Sequence, residues 1–297
     1  MKYREFDGLD WKASALGFGC MRLPTVGGDR SNIDEAEAKK MIHYAIEHGV
    51  NYLDSAYHYH GGASEEFLGR ALKGGYRERV RLATKMPCPA VEEHSDFERI
   101  FSEQLERLQT DHIDFYLLHG LRRERWDKMR ELDYFSWAEK AMDDGRIGHL
   151  GFSFHDDYEV LKEIVDGYDN WTFCQIQYNY MDIENQAGTK GLKYAASQGL
   201  AVVIMEPLLG GKLVDPPQEV QEIWKSALQE RTPADWALQW QWNQPEVSVV
   251  LSGMSTMQQV RENLASADVS EVGYLSEEDL EVIARVREKY EELCPIP

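Results

Sequence analysis

Cysteine is scarce in this chain and unpatterned. Cys20, Cys88, Cys174 and Cys294 are scattered over 297 residues with no paired spacing. Neither a disulfide framework nor a four-thiolate iron–sulfur cluster is encoded, and a reducing compartment is the expectation. Apolar runs are short as well: none reaches the ~18 residues of a membrane-spanning helix, and the opening "MKYREFDGLDWKASALGFG" has no apolar signal core. The expected location is therefore cytoplasmic. Positive charge is in deficit. The 32 Lys and Arg face 52 Asp and Glu, a formal charge of −20. Phosphate backbones and anionic bilayers repel such a surface, so neither a nucleic acid nor a membrane is an expected partner. A dinucleotide-binding fingerprint is also missing. "GFGCMR" (17–22) begins as G-x-G, but Arg22 stands where the third glycine belongs, and the first helical pattern starts only near residue 34.

What the chain does have is alternation. Eight short apolar runs occur: 15–19, 50–54, 80–85, 113–119, 149–153, 173–177, 201–206 and 247–252. Helix-period segments separate them. Residues 34–48 put Ala38, Met41, Ile42, Ala45 and Ile46 on one face and end at Gly49, a C′ glycine. Ser95 to Glu98 has capping-box spacing, Thr232 and Pro233 read as an N-cap and first helical residue, and Asp157, Gly188 and Thr256 open three further helices. Strand and helix in alternation imply a parallel sheet. Eight repeats over this length favour a closed (β/α)8 TIM barrel, an α/β fold, spanning 1–297 as one domain. An N-terminal β-hairpin occupies residues 1–14 with its turn at Asp7 and Gly8, and a charged helix and tail occupy 276–297. Segments 120–137 and 207–231 read as long loops that shape a pocket mouth.

In a TIM barrel the active site lies at the C-terminal ends of the strands. The polar residues at or just past those ends are Asp54, Tyr59, Lys85, His119, Ser153, His155, Gln177, Asn179, Glu206 and Ser252. Each alone has an ordinary reading: a solvated lysine, a structural histidine, a packed tyrosine. Four ionisable groups on three neighbouring strands converge in one pocket. A tyrosine beside an ammonium can give a proton to a forming alkoxide. Lys85 favours the phenolate of Tyr59, Asp54 places Lys85, and His119 polarises a carbonyl oxygen. Such a site reduces an aldehyde or ketone, and because no side chain donates hydride it needs a nicotinamide cofactor. The candidate anion site is Ser252 to Thr256 before the helix "MQQVRENL", with Gly210 and Lys212 of "PLLGGK" beside it. Two rival readings remain. His58, His60, Lys85, His119 and the His155–Asp156 pair could be written as the metal constellation of a hydrolase on the same barrel. A non-catalytic nicotinamide-binding redox sensor is the other.

The motifs "GFGCMRLP", "NYLDSAYHYHGG", "LATKMP", "IDFYLLHG", "DGRIGHLGFSFH", "CQIQYNYMD", "VIMEPLLGGKL" and "VVLSGMSTMQQVRENL" resemble the aldo-keto reductases over nearly the whole chain. The resemblance implies a catalytic tetrad of Asp54, Tyr59, Lys85 and His119. It also implies a cofactor held by Gly19, Cys20, Met21, Asp54, Ser153, Gln177, Met205, Pro207, Leu208, Gly210, Lys212, Ser255, Gln259, Glu262 and Asn263, with NADP(H) favoured over NAD(H). Three residues depart from the family pattern: Phe154 in place of asparagine, Met205 in place of a stacking aromatic, and Gln259 where many members have arginine. The ending "CPIP" with "GFSFHD" resembles a branch that continues into an iron–sulfur segment; with Cys294 alone there, no cluster is expected in this sequence. Trp126, Tyr134, Phe135 and Trp224 in the two long loops have two readings: packing of the loops themselves, or contact with an apolar or ring-bearing substrate.

Overall fold

The chain is described by a computed structural model covering residues 1–6 and 8–293; Asp7 of the predicted turn and the ending with Cys294 lie outside the described residues. Strands β1 (Tyr3–Glu5) and β2 (Lys12–Ser14) form the antiparallel hairpin, with Tyr3 opposite Ser14. The eight apolar runs become β3 (Leu16–Gly19), β4 (Tyr52–Asp54), β5 (Arg81–Met86), β6 (Ile113–Leu121), β7 (Ile147–Phe154), β8 (Phe173–Gln177), β9 (Ala201–Met205) and β10 (Val247–Gly253). They close into one barrel of parallel strands, β10 pairing with β3.

The helices are α1 (Glu35–Glu47), α2 (Ala63–Ala71), α3 (Ser95–Leu108), α4 (Arg123–Glu131), α5 (Tyr134–Asp143), α6 (Tyr158–Asp166), α7 (Gly188–Ser197), α8 (Gln218–Lys225), α9 (Pro233–Trp242), α10 (Met257–Asp268) and α11 (Glu277–Leu293). The buried face of α1 is the predicted set Ala38, Met41, Ile42, Ala45 and Ile46. Thr232, Asp157 and Thr256 each cap their helix by accepting from a backbone N–H, and Thr256 with Gln259 forms a full capping box. The capping box expected at Ser95 does not form. That helix begins after His94, the Ser95 hydroxyl bonds Glu93, and Asp96 accepts from the N–H groups of Glu92 and Glu93. The expected loop 120–137 is also mostly helix, because Trp126 and Met129 on α4, with Tyr134 and Trp137 on α5, need an apolar surface to cover.

Inside the barrel, strand residues alternate between the axis and the surrounding helices. The axis-facing residues toward the strand starts, Tyr52, Ala83, Phe115, Leu117, Phe173, Ala201, Val203 and Val249, form one apolar cluster. The hairpin closes this end. Phe6 is fully buried, with its ring centroid 4.9 Å from Phe115, 5.6 Å from Trp11 and 5.7 Å from Phe173. The opposite end, at the strand C-termini, stays open.

Candidate active site

The same axis-facing rows that begin apolar end polar. Tyr52 is followed by Asp54 on β4, Ala83 by Lys85 on β5, Leu117 by His119 on β6, and Phe173 by Gln175 on β8. The strand stagger brings them to a common depth around a cavity of about 820 Å³, within the size range of cofactor sites. Asp54, Tyr59, Lys85, His119, Ser153, His58 and His155 all line it.

Lys85 and Asp54 are fully buried or nearly so. The Lys85 Nζ donates to both Asp54 oxygens, each at 2.7 Å, and to the Ser55 carbonyl at 2.6 Å. Burial alone would strip the ammonium of its proton; the Asp54 carboxylate and Tyr59 outweigh that and hold the Lys85 pKa above its ordinary value. Burial also raises Asp54, with Lys85 pulling back.

Tyr59 arrives from outside the strands. It opens a tight turn, Tyr59–Gly62, in which His60, Gly61 and Gly62 all take left-handed backbone (φ 54°, 65° and 99°). This turn separates the crowded side chains of "YHYHGG". Tyr57 turns away to donate to Glu103 at 2.8 Å. His60 is buried with both nitrogens used, Nε2 accepting from Leu23 N and Nδ1 bonding Arg30 O. Tyr59 faces inward, with Lys85 Nζ 5.1 Å from its ring centroid and the His119 ring 6.1 Å away at 80°. Lys85 pulls the phenol toward acidity as expected, but the net shift is the other way. Burial raises the Tyr59 pKa more than the ammonium lowers it, and the phenol is held above its ordinary value. His119 is pushed down to about 3, first by burial and then by the Lys85 charge, so its ring is neutral.

Of the residues expected around a cofactor, Gly19, Met21, Asp54, Ser153, Met205, Pro207, Leu208, Gly210, Ser255, Gln259, Glu262 and Asn263 line this cavity. Cys20, Gln177 and Lys212 are not among its lining residues. Cys20 is buried and its thiol donates toward Phe18 O, with burial raising its pKa. Gln177 turns outward to donate to Asp182. Its place is taken by Gln175, level with Ser153 across β7 and β8, whose buried Oε1 has no hydrogen-bond partner among the described residues. Gln259 spends its Oε1 on the N–H groups of Ser255 and Thr256. Phe154 points into the outer core. The four loop aromatics do too: Trp126, Tyr134 and Trp224 are buried, Phe135 packs against the core, and none lines the cavity.

Glu206, expected at the end of its strand, lines the pocket, together with two residues the sequence did not mark for it, Arg22 and Gln175. Arg22 lays its stem against Gly253, where an added Cβ would come within 3.2 Å, and its guanidinium and the Glu206 carboxylate both come within 3.5 Å of the space beside Gly210. Glu206 and Leu209, both just before Gly210, carry positive φ (55° and 50°), costing about 1–3 kcal/mol each. Among the described residues no group of three His, Cys, Asp or Glu converges as metal ligands, and His60 has no free nitrogen to offer a metal.

The profile of the aldo/keto reductase family matches residues 15–288. L-galactose dehydrogenase from Arabidopsis thaliana is 27% identical over 301 residues, covering 95% of this chain and 93% of its own. A probable aldo-keto reductase 1 of Glycine max is 26% identical, over 92% of this chain and 85% of that one. Among solved structures, the aldo-keto reductase AKR11C1 from Bacillus halodurans in its holo form superposes with a TM-score of 0.80 at 28% identity, covering 96% of both chains.

Proposed function

The chain belongs to the aldo/keto reductase family, and from that premise we propose that it reduces an aldehyde or ketone to an alcohol with a nicotinamide cofactor. The observation that carries the reading is the buried Lys85–Asp54 pair beneath Tyr59, with neutral His119 at the same end.

The cavity fits a nicotinamide nucleotide on its own features. The partnerless Gln175 Oε1 offers an acceptor to a carboxamide N–H, and the Ser153 hydroxyl stands beside it, already accepting from Gly120 N at 2.7 Å. Gly19, Gly210 and Gly253 keep the groove floor low. The α10 N-terminus, with Ser255 at its edge, opens on the same groove. A reduced nicotinamide supplies the hydride.

In the proposed reaction His119 donates a hydrogen bond to the carbonyl oxygen, and Tyr59 gives its proton to that oxygen as negative charge builds on it. A phenol held above its usual pKa is fully protonated at neutrality. It is still far more acidic than the alcohol being formed, so the transfer runs downhill. The charged Lys85 stabilises the phenolate left behind until water reprotonates it. Asp54 acts as a positioning residue for Lys85.

NADP(H) is the proposed cofactor, with NAD(H) as the competitor. Arg22 is the one cation besides Lys85 among the lining residues and the candidate partner for a phosphate, while Glu262 suits a ribose diol. The test is a fluorescence titration with NADPH and NADH, followed by absorbance at the reduced-nicotinamide band with an aldehyde added. Saturable NADPH binding and cofactor consumption are expected. Binding of neither cofactor would overturn the proposal.

A further inference from the structure

Three histidines line the cavity, and the proposed reaction uses only His119. His155, the first residue past β7, is half-buried and belongs to a chain of polar groups. Its Nδ1 lies 3.2 Å from Gln186 Oε1; Gln186 Nε2 lies 3.3 Å from Gln177 Oε1; Gln177 Nε2 lies 2.9 Å from Asp182 Oδ2. The carboxylate at the far end sets the polarity of the whole chain, because it can only accept. Gln177 must then turn its NH2 to Asp182 and its oxygen to Gln186. Gln186 must turn its NH2 to Gln177 and its oxygen to His155. The proton of His155 therefore sits on Nδ1, leaving Nε2 as a bare acceptor. Burial lowers the His155 pKa, which keeps the ring neutral. Among the described residues Nε2 has no hydrogen-bond partner.

We propose that His155 is a specificity-determining residue whose Nε2 accepts a hydrogen bond from a substrate hydroxyl, so that the pocket selects hydroxylated aldehydes and ketones over plain alkyl ones. The proposal rests on the carbonyl-reductase reading. It accounts for the role of Gln177, which holds the relay from outside the cavity. It also fits the lining, where Tyr59 is the only aromatic carbocycle and three histidines are present. Substrate binding takes this cavity-lining acceptor out of water, so a substrate that brings no donor leaves it unpaired, a penalty on the order of 10-fold or more in kcat/KM.

D-glyceraldehyde and propanal are the probes, with the same carbon count and the same reacting group. With NADPH the wild type should favour glyceraldehyde by about 10-fold or more in kcat/KM. His155→Phe should collapse that ratio, and Gln186→Leu should reduce it by freeing the ring. Histidine nitrogen NMR on the protein alone should show the Nδ1–H tautomer at His155 and a mixture in Gln186→Leu. A failure to turn over either aldehyde would overturn the carbonyl-reductase reading. An Nε2–H tautomer, or an unmoved ratio in His155→Phe with turnover intact, would overturn this proposal alone.

Discussion

The two ends of the barrel are built from the same strand rows and do opposite things. At the closed end Phe6, Tyr52, Phe115 and Phe173 pack ring on ring with almost no exposure. Two residues beyond Tyr52, Ala83 and Phe173 stand Asp54, Lys85 and Gln175, buried just as deeply but polar, one of them with an unpaired oxygen. Backbone strain collects at the open end as well: His60, Glu206 and Leu209 are non-glycine residues with positive φ around the cavity. Apolar burial at one end stabilises the fold and tolerates polar burial and strained turns at the other.

Substitutions at the two ends should therefore separate stability from activity. Lys85→Met leaves the Asp54 carboxylate buried without its partner. It should cut carbonyl reduction by about 10²–10⁴-fold and cost about 3–5 kcal/mol, read by steady-state kinetics and urea unfolding. Phe6→Ala should cost a similar ~3–5 kcal/mol with kcat/KM changed less than about two-fold, since the ring lies among Phe115, Phe173 and Trp11, outside the cavity lining. A large kcat/KM loss in Phe6→Ala would break the contrast between the ends.

A smaller effect concerns pH. Burial pushes His119 down to about 3 and holds Tyr59 above its ordinary phenol value, so kcat/KM for reduction should be flat from roughly pH 5 to 9. A bell centred near neutrality would place the wrong groups in the reaction. The depressed histidine also carries a stability sign. Unfolded, it takes a proton near 6.5; folded, it does not until about 3. The native state therefore loses stability as pH falls from 6.5 toward 3, and His119→Asn should lose less over that window.

Much of this was legible beforehand because the strand ends are written in the sequence. The C-terminal ends of the apolar runs picked out Asp54, Lys85 and His119, and the eight apolar runs became the eight barrel strands. Depth was not legible. Gln175 and Gln177 share parity on β8, and only the register that puts Gln175 beside Ser153 decides which one faces the cavity. The capping box at Ser95 misled because Asp96 takes the same helix end from a different position. The loop aromatics left packing and substrate contact both open, because exposure depends on what α4, α5 and α8 pack against, which no local pattern states; in the structure they pack. The sign of the Tyr59 shift required knowing its burial, since an ammonium and a desolvated pocket pull in opposite directions.

The most direct measurement is Tyr59→Phe, followed by NADPH titration and aldehyde reduction on the same preparation. The phenol hydroxyl is the only group removed, so NADPH affinity should stay within about three-fold while reduction falls by about 10²–10⁴-fold. Reduction persisting near the wild-type rate would show that the proton comes from elsewhere and would contradict the account.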